Sequence, residues 1–415
     1  MGMHRLALFF LTSTMQIKWA PYPWVCFSMC VGVMGTALAS PLYPLYQTTW
    51  QLQTSDITLV YAMYMAGAML SLLTLGSLSD RHGFVRVLRW GLVVVTASSL
   101  LSALAWSYTS FAAARVLVGL ASGMITTSAS LGLTQLNNKG DLQRAAAMAS
   151  LTIAFGFGLG PVLGGMVAQW LPQPLVTAYI PSMLLGVLAV VALGRIQHQV
   201  PLPAPSPAHA AHSWLPQITL PAPEHRRRYL LASMCAFLAF GAFSLFASLA
   251  PSFMARMVPW HGPAISGMAL GMILFLSAGF QFLSRARSSR WCAQAGLGAL
   301  AASMLILLLN NYLGSSLLFG LCVLTVALGH GLCNIGGMSL VNRVAQPHNR
   351  SGLISTYLVI GYIGSMLPIM VLGSMADHLG LDTALPLYCA VMGALTLWVL
   401  WRIYRLPPMA MPTAA

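Results

Sequence analysis

The chain has 415 residues, of which 58% are hydrophobic and only 6% are charged, whereas a soluble domain carries roughly a quarter charged residues. This composition excludes a water-soluble fold, because no soluble core could hide so much apolar surface. The formal net charge of +14 would indicate nucleic-acid binding in a soluble protein, but the distribution of the basic residues argues against that function.

Long apolar runs occupy nearly the whole chain, and each is able to cross a hydrocarbon core of roughly 30 Å as a helix. Helix is expected because lipid offers backbone groups no hydrogen-bond partner, so that each spanning segment must satisfy its own. The sequence therefore predicts an all-α membrane protein with twelve spans. The predicted spans are residues 21–47, 57–78, 89–107, 110–136, 145–168, 174–193, 229–255, 262–284, 291–309, 313–341, 351–376 and 383–404.

A segment dense in proline, alanine and histidine separates the sixth and seventh spans and is predicted to be a linker. The halves on either side of it echo each other, since Gly123 and Arg144 have counterparts at Gly329 and Arg350. This order predicts two pseudo-symmetric six-helix bundles that face each other across a central cavity. The expected organisation is an N-terminal segment 1–20, a bundle 21–193, the linker 194–228, a second bundle 229–404 and a tail 405–415.

The basic residues are distributed unevenly between the two predicted sides of the membrane. All of the 20 lysines and arginines except Arg115 and Arg256 fall on the side that carries the termini and the linker. This asymmetry follows the positive-inside rule, so these parts are expected to be cytoplasmic, in a protein of the inner membrane. The linker histidines and the 7 cysteines lack metal-site spacing, so no metal, cofactor or nucleic acid is expected as a partner.

The loop after the second span carries the most specific motif, G-x-x-x-D-R-x-G. Its glycines permit a tight turn, and its aspartate can sit at a helix N-terminus, where free N–H groups favour an anion. The motif resembles that of the major facilitator superfamily, whose members are transporters that work by alternating access. The resemblance implies that this loop latches one side closed against the start of helix eleven, although a merely solvated loop is the alternative. The predicted latch residues are Gly76, Asp80, Arg81, Gly83, Arg86 and Arg144.

Spans four and five extend the resemblance. Arg115 begins an R-x-x-x-G pattern like that of family helix four, which makes it a candidate for coupling, whereas snorkelling to the outer interface is the alternative. The fifth span resembles an element of the antiporter branches, in which a stripe of glycines permits close helix packing and a proline interrupts the hydrogen-bond ladder. The predicted packing residues are Gly156, Gly160, Pro161, Gly164 and Gly165, with Gly267 and Gly271 of the eighth span.

The membrane core contains few groups that could take up a proton. All 6 acids fall in loops or at helix ends, so coupling through a buried carboxylate is not expected. His330, with Asn334 one turn later, is the candidate for coupling or substrate binding, although a hydrogen-bonded packing residue is the alternative. With spans one, four, seven and ten facing the cavity as in the family, the predicted cavity residues are Thr36, Ser40, Thr126, Phe240, Phe243, Ser244, His330, Asn334 and Tyr357.

These patterns leave three hypotheses for function. The first is a monomeric, proton-driven exporter of small molecules that are apolar, neutral or cationic, as the weakly polar and aromatic candidates indicate. The second is a facilitator or importer of a small metabolite, which the missing carboxylate favours. The third is a membrane enzyme that uses His330 and the linker histidines, but no metal-site or acid-cluster pattern supports it. The sequence therefore predicts a transporter and not an enzyme.

Overall fold

The computed structural model describes residues 20–75, 78–137, 142–200, 218–346 and 349–406. These residues contain twelve helices that are long and apolar enough to cross a membrane, which confirms the predicted number of spans. Within these ranges the regular structure is all helical. The twelve helices are α1 (Pro21–Trp50), α2 (Thr54–Thr74), α3 (Phe84–Ala103), α4 (Tyr108–Gln135), α5 (Leu142–Trp170), α6 (Pro174–Gln199), α7 (Pro223–Met257), α8 (Pro263–Leu283), α9 (Ser289–Leu313), α10 (Ser316–Val344), α11 (Arg350–Leu379) and α12 (Leu381–Tyr404).

Helix boundaries follow the local chemistry of the chain. Proline occupies the first turn of α1, α7 and α8, where its missing N–H removes no intrahelical hydrogen bond. Gly83 precedes α3 with φ at 82°, and Gly314 ends α9 with φ at 59°, a left-handed conformation that glycine adopts without a Cβ penalty. Helical structure also extends into both ends of the predicted linker, since α6 continues to Gln199 and α7 begins at Pro223.

The two halves pack in the same way. In the first half α1 contacts α4 and α5, while α3 contacts α4 and α6; in the second half α7 contacts α10 and α11, while α9 contacts α10 and α12. The halves meet through α5 on α8 and α2 on α11, which is again a symmetric pair of contacts. The predicted architecture of two pseudo-symmetric six-helix bundles is thereby confirmed.

Helices differ in how much of their surface the protein covers. In one 18-residue apolar stretch of each helix, 78% of the residues of α1 and 72% of those of α7 are buried, against 33% for the outer helix α6. Helix α6 turns Leu184, Val187 and Val191 outward. In lipid such outward apolar residues need no protein partner. We call the end with the α6–α7 linker the linker end and the opposite end the distal end.

The glycine stripe on α5 packs against α1 within the same half. A Cβ at Gly156 would lie 2.6 Å from the carbonyl oxygen of Cys30, and one at Gly164 would lie 2.8 Å from that of Leu38. Gly160, between them, likewise faces the α1 backbone. The stripe therefore fixes the distance between α5 and α1, and the contact between the halves uses a different face of α5.

That second face of α5 meets α8 with almost no space between the two backbones. A Cβ at Gly165 would overlap with the carbonyl of Pro263, and a Cβ at Gly267 would overlap with the carbonyl of Pro161. At Gly271 a Cβ would lie 2.9 Å from a backbone oxygen of α5. The two halves are thus in backbone contact along this line, which only glycine permits.

Candidate functional site

A cavity of about 290 Å³ lies between the two halves, close to the middle of the helices that surround it. Helices α2 and α5 of the first half and α7, α8, α10 and α11 of the second half form its wall. A pocket at the interface of two bundles is a common place for a small-molecule site. The lining residues are Tyr64, Met65, Ser150, Ile153, Ala154, Phe157, Phe240, Phe243, Leu274, Ser277, Gln281, His330, Asn334, Tyr362 and Ser365.

One edge of the cavity is a hydrogen-bonded polar network on α8 and α10. Ser277 Oγ lies 2.8 Å from His330 Nδ1, and Gln281 Nε2 donates to the same hydroxyl at 3.4 Å. Asn334 Nδ2 lies 3.2 Å from His330 Nε2. Each helix contributes two residues that are four positions apart and therefore share one face. Amide groups of Asn334 and Gln281 at this edge can hydrogen-bond to a bound molecule.

The rest of the wall is largely aromatic. Phe243 and Phe240 place their ring centroids 5.6 Å and 6.2 Å from the imidazole of His330, and Tyr362 lies 6.0 Å from Phe240. Phe157 contributes a further ring from α5. Among the described residues that line the cavity, none is Asp, Glu, Lys or Arg. The wall therefore offers aromatic faces and a few hydrogen bonds, without a formal charge.

A buried arginine lies directly behind this wall. Arg115 of α4 is 2% exposed, and its guanidinium carbon lies 4.6 Å from the ring centroid of Tyr64. Its Nη1 donates to the carbonyl of Thr36 at 3.2 Å, while its Nε has no hydrogen-bond partner. The side chain therefore points into the bundle and does not snorkel to the distal interface. Tyr64 separates this cation from the cavity.

The distal end of the molecule is closed by contacts between the halves. The carboxylate of Asp377, at the end of α11, accepts hydrogen bonds from the backbone N–H groups of Thr54 (2.8 Å) and Ser55 (3.1 Å) at the start of α2. One apolar cluster also joins Tyr46 of the first half to Phe246 of the second. Towards the linker end, the cavity wall reaches the exposed Ser150. The cavity is therefore sealed distally.

Comparison with known proteins agrees with this architecture. Residues 25–369 match the family model described as Major Facilitator Superfamily. The chain belongs to this superfamily. It is therefore a transporter of the major facilitator type and an integral membrane protein.

Individual relatives are distant. The transporter is 24% identical over 166 residues to the quinolone resistance protein NorA of Staphylococcus aureus. The aligned region covers 40% of this chain and 41% of NorA. It is 28% identical over 186 residues to the uncharacterized MFS-type transporter YceJ of Bacillus subtilis. Here the aligned region covers 44% of this chain and 47% of YceJ. The matched part thus spans less than half the length of either relative.

Solved structures share the fold over nearly the whole transporter. A bacterial homologue of the human lysosomal transporter Spinster, in an inward-facing and occupied conformation, superimposes with a TM-score of 0.72 at 12% identity, covering 92% of this chain and 96% of the homologue. A mutant of the nucleoside transporter NupG gives a TM-score of 0.73 at 13% identity, covering 92% of this chain and 99% of NupG. At such identities the similarity shows the fold alone.

The structure places the sequence-predicted cavity residues of the transporter in two groups. Phe240, Phe243, His330 and Asn334 line the cavity. Thr36, Thr126 and Ser244 instead donate to carbonyls three or four residues earlier in their own helices. Ser40 is buried in the short turn inside α1, and Tyr357 packs in an apolar cluster with Tyr229 near the linker end.

The cavity wall also contains residues that sequence reasoning missed. Ser277 and Gln281 of α8, like His330 and Asn334 of α10, are two polar residues one turn apart in an apolar span. That spacing is the signal that could have found them. Ile153, Ala154 and Phe157 of α5 carry no such signal, because apolar residues face lipid and cavity alike.

The structure describes only part of the predicted latch of the transporter. Gly76 lies outside the described residues, and so do the side chains of Asp80 and Arg144. Arg81 and Arg86 are exposed at the linker end. The contact between this loop and the start of α11 stays a prediction.

Proposed function

We propose that this transporter exports small hydrophobic molecules by alternating access and that the proton gradient drives the export. In this proposal the linker end and both termini are cytoplasmic, and a single chain suffices because its two halves form the whole cavity. The observation that carries the proposal is the aromatic, uncharged wall of the cavity between the halves.

The composition of the wall selects among substrate classes. Sugar phosphates and other anions require clustered arginines, whereas the described wall contains aromatic rings and the hydrogen-bonding side chains of Ser277, Gln281 and Asn334. Such a surface suits apolar, neutral or cationic aromatic compounds, because it combines apolar contact area with attraction of cations to ring faces. Similarity to a quinolone resistance protein supports the export of compounds of this kind.

Alternating access in this proposal uses the two contacts between the halves. The distal end is held by the Asp377 carboxylate on the start of α2 and by the backbone contact of α5 with α8. Rocking one half against the other would break the distal hydrogen bonds and close the linker end. The basic residues at the linker end support a cytoplasmic location for it.

Proton coupling in this proposal uses groups other than carboxylates. The described carboxylates of Asp56, Glu224, Asp377 and Asp382 lie at helix ends. His330 on the cavity wall and Arg115 behind Tyr64 remain the candidates, because they are polar groups held inside the membrane-spanning bundle. The alternative function, a facilitator or importer without proton coupling, is favoured by the lack of a carboxylate among the described lining residues.

Uptake of ethidium by inverted membrane vesicles tests the proposal. With the vesicle interior acidified by about one pH unit, we expect vesicles containing the transporter to accumulate ethidium up to about tenfold. This is the limit when one proton leaves the vesicle for each ethidium cation that enters. Collapse of the pH gradient should release the dye. Equilibration to the same level with and without the gradient would support the facilitator and contradict the exporter.

Replacing His330 with alanine is expected to weaken ethidium uptake and raise its half-saturating concentration about tenfold. The substitution removes the imidazole that lies against Phe240 and Phe243 and leaves Ser277 and Asn334 without their partner on His330, and each lost contact of this kind is worth roughly 1 kcal/mol. Initial uptake rates at several dye concentrations provide the measurement. Thr325→Ala is the matched control, because Thr325 lies on the same helix and its hydroxyl donates to the backbone carbonyl of Leu321, one turn earlier. Equal effects of the two substitutions would argue against a role of His330 at the cavity.

A further inference from the structure

A groove on the outer surface of the first half runs between α3 and α6 at the linker end. Its volume is about 470 Å³, and it is lined by Arg86, Arg89, Trp90, Val93, Val190 and Gln197. Trp90 is 43% exposed and Val93 is 49% exposed, so the groove is open on the side that faces the bilayer. It is separate from the central cavity, with which it shares no lining residue.

The chemistry of the groove changes with depth in the membrane. Arg86 and Arg89 lie in the first two turns of α3, at the linker end, whereas Val93 lies one turn deeper. At a rise of about 1.5 Å per residue, the distance along the helix from Arg86 to Val93 is roughly 10 Å. Val190 on α6 faces the same apolar part. The groove thus has a cationic rim and an apolar floor, which complement the anionic head and the apolar chain of a phospholipid.

The position of Arg89 is built into the helix contact. Its guanidinium lies across Gly194 of α6, with Cζ 3.3 Å from the place where a Cβ of that residue would stand. A Cβ alone would shift the guanidinium by only a few tenths of an ångström, but a branched side chain at position 194 would occupy the space in which the guanidinium lies. A planar guanidinium held in one place binds a phosphate group through two parallel hydrogen bonds.

The charge of the groove is not balanced within it. The six described side chains that line it include two arginines and no acid. Trp90 stands beside them at the level where tryptophan commonly marks the membrane interface. Basic pockets between helices at this level of a membrane attract anionic lipid headgroups.

We propose that this groove binds an anionic phospholipid, with its phosphodiester on Arg86 and Arg89 and one acyl chain along Trp90, Val93 and Val190. A soluble phosphate would use only the rim. The apolar floor adds binding energy only for a ligand that carries a chain, because burial of apolar surface scales with area.

Native mass spectrometry of the full-length transporter in detergent tests this inference directly. The probes are phosphatidylglycerol, phosphatidylcholine with the same acyl chains, and sn-glycerol 3-phosphate, which has the phosphate without the chains. We expect one molecule of phosphatidylglycerol to bind saturably, at probe concentrations at which neither phosphatidylcholine nor glycerol phosphate binds. Equal binding of phosphatidylcholine would overturn the role of the arginines, and equal binding of glycerol phosphate would show a soluble-anion site instead.

Three variants locate the site. Arg89→Ala is expected to weaken phosphatidylglycerol binding about fivefold, the effect of one basic residue near an anionic lipid. Gly194→Val keeps every charge but displaces the guanidinium of Arg89, and should weaken binding to a similar extent. Arg285→Ala removes an exposed arginine at the same end of the molecule, just after α8, and should leave binding unchanged. Thermal unfolding without lipid identifies any variant that is misfolded.

The outcomes separate this inference from the proposed export function, because the readout is lipid binding and not transport. Equal losses in Arg89→Ala and Arg285→Ala would mean that lipid binds by general charge, and would overturn the groove as a site. A folded Gly194→Val variant with wild-type binding would do the same.

Discussion

Replacing Asp377 with alanine is expected to shift the transporter towards a form that is open at the distal end. The carboxylate caps the start of α2 from the other half of the molecule, through the N–H groups of Thr54 and Ser55. Loss of such a cap costs roughly 1 kcal/mol, and here the cost falls only on the distally closed form. The equilibrium should therefore move about fivefold towards opening.

Labelling of a cysteine placed at Ser365 measures this shift. Ser365 lines the cavity and is buried opposite Tyr61, one turn nearer the distal end than Tyr362. An impermeant maleimide added to the distal side of right-side-out vesicles should label Ser365→Cys about fivefold faster when Asp377 is alanine. The seven native cysteines are all at least partly buried, and the chain without the new cysteine supplies the background rate.

Asp56 provides the matched control for this prediction. Its carboxylate also accepts from a backbone N–H at the start of α2, that of Gln53 at 2.9 Å, but both partners belong to the same half. Asp56→Ala should therefore lower stability in both conformations equally and leave the labelling rate unchanged. A similar acceleration in both variants would show that the start of α2 had simply frayed.

Replacing Gly267 with alanine is expected to destabilise the transporter and to abolish most of its transport. The new methyl group would overlap with the carbonyl of Pro161, a backbone atom that no rotamer change can move away. Overpacking of this kind costs roughly 1 to 3 kcal/mol, and separating α8 from α5 would disturb the line along which the halves meet. Thermal unfolding in detergent and ethidium uptake in vesicles are the two measurements.

Gly279→Ala is the matched control because it lies in the same helix and a Cβ there meets nothing within 4 Å. Alanine is the better helix former, so this variant should be unchanged or slightly more stable. If Gly267→Ala unfolded at the wild-type temperature and transported normally, the backbone contact of α5 with α8 would not be required.

Much of the fold could be predicted from the sequence because lipid imposes one rule on every span. An apolar segment of sufficient length must form a helix, so hydropathy alone locates each of the twelve. Predicted boundaries are less accurate where a polar residue is part of the helix. Hydropathy predicts the second span from residue 57, but α2 begins at Thr54, since Asp56 folds back to cap its first turn.

The candidate site could be predicted only in part, because the protein is surrounded by lipid and not by water. In a soluble helix the polar face marks the outside, but in lipid the outer face is apolar and gives no contrast with the packed face. Hydroxyl groups do not show which face lines the cavity either. Thr36, Thr126 and Ser244 each donate a hydrogen bond to a backbone carbonyl of their own helix. His330 and Asn334 can be found from sequence because amide and imidazole side chains in a span require partners.

The direction of the Arg115 side chain could not be read from the sequence either. Its depth in α4 permits either snorkelling or an inward position. The choice depends on Thr36 of α1 and Tyr64 of α2, which become its neighbours only when three helices pack together.

The outward position of helices such as α6 has a consequence for how such proteins diverge. A lipid-facing residue must be apolar, but many apolar residues satisfy that requirement equally, so mutations there carry little penalty. Strict requirements remain only at a few points where backbones touch or polar groups meet. The same fold is therefore compatible with very different sequences, as the superposition of 92% of this chain on a Spinster homologue at 12% identity illustrates.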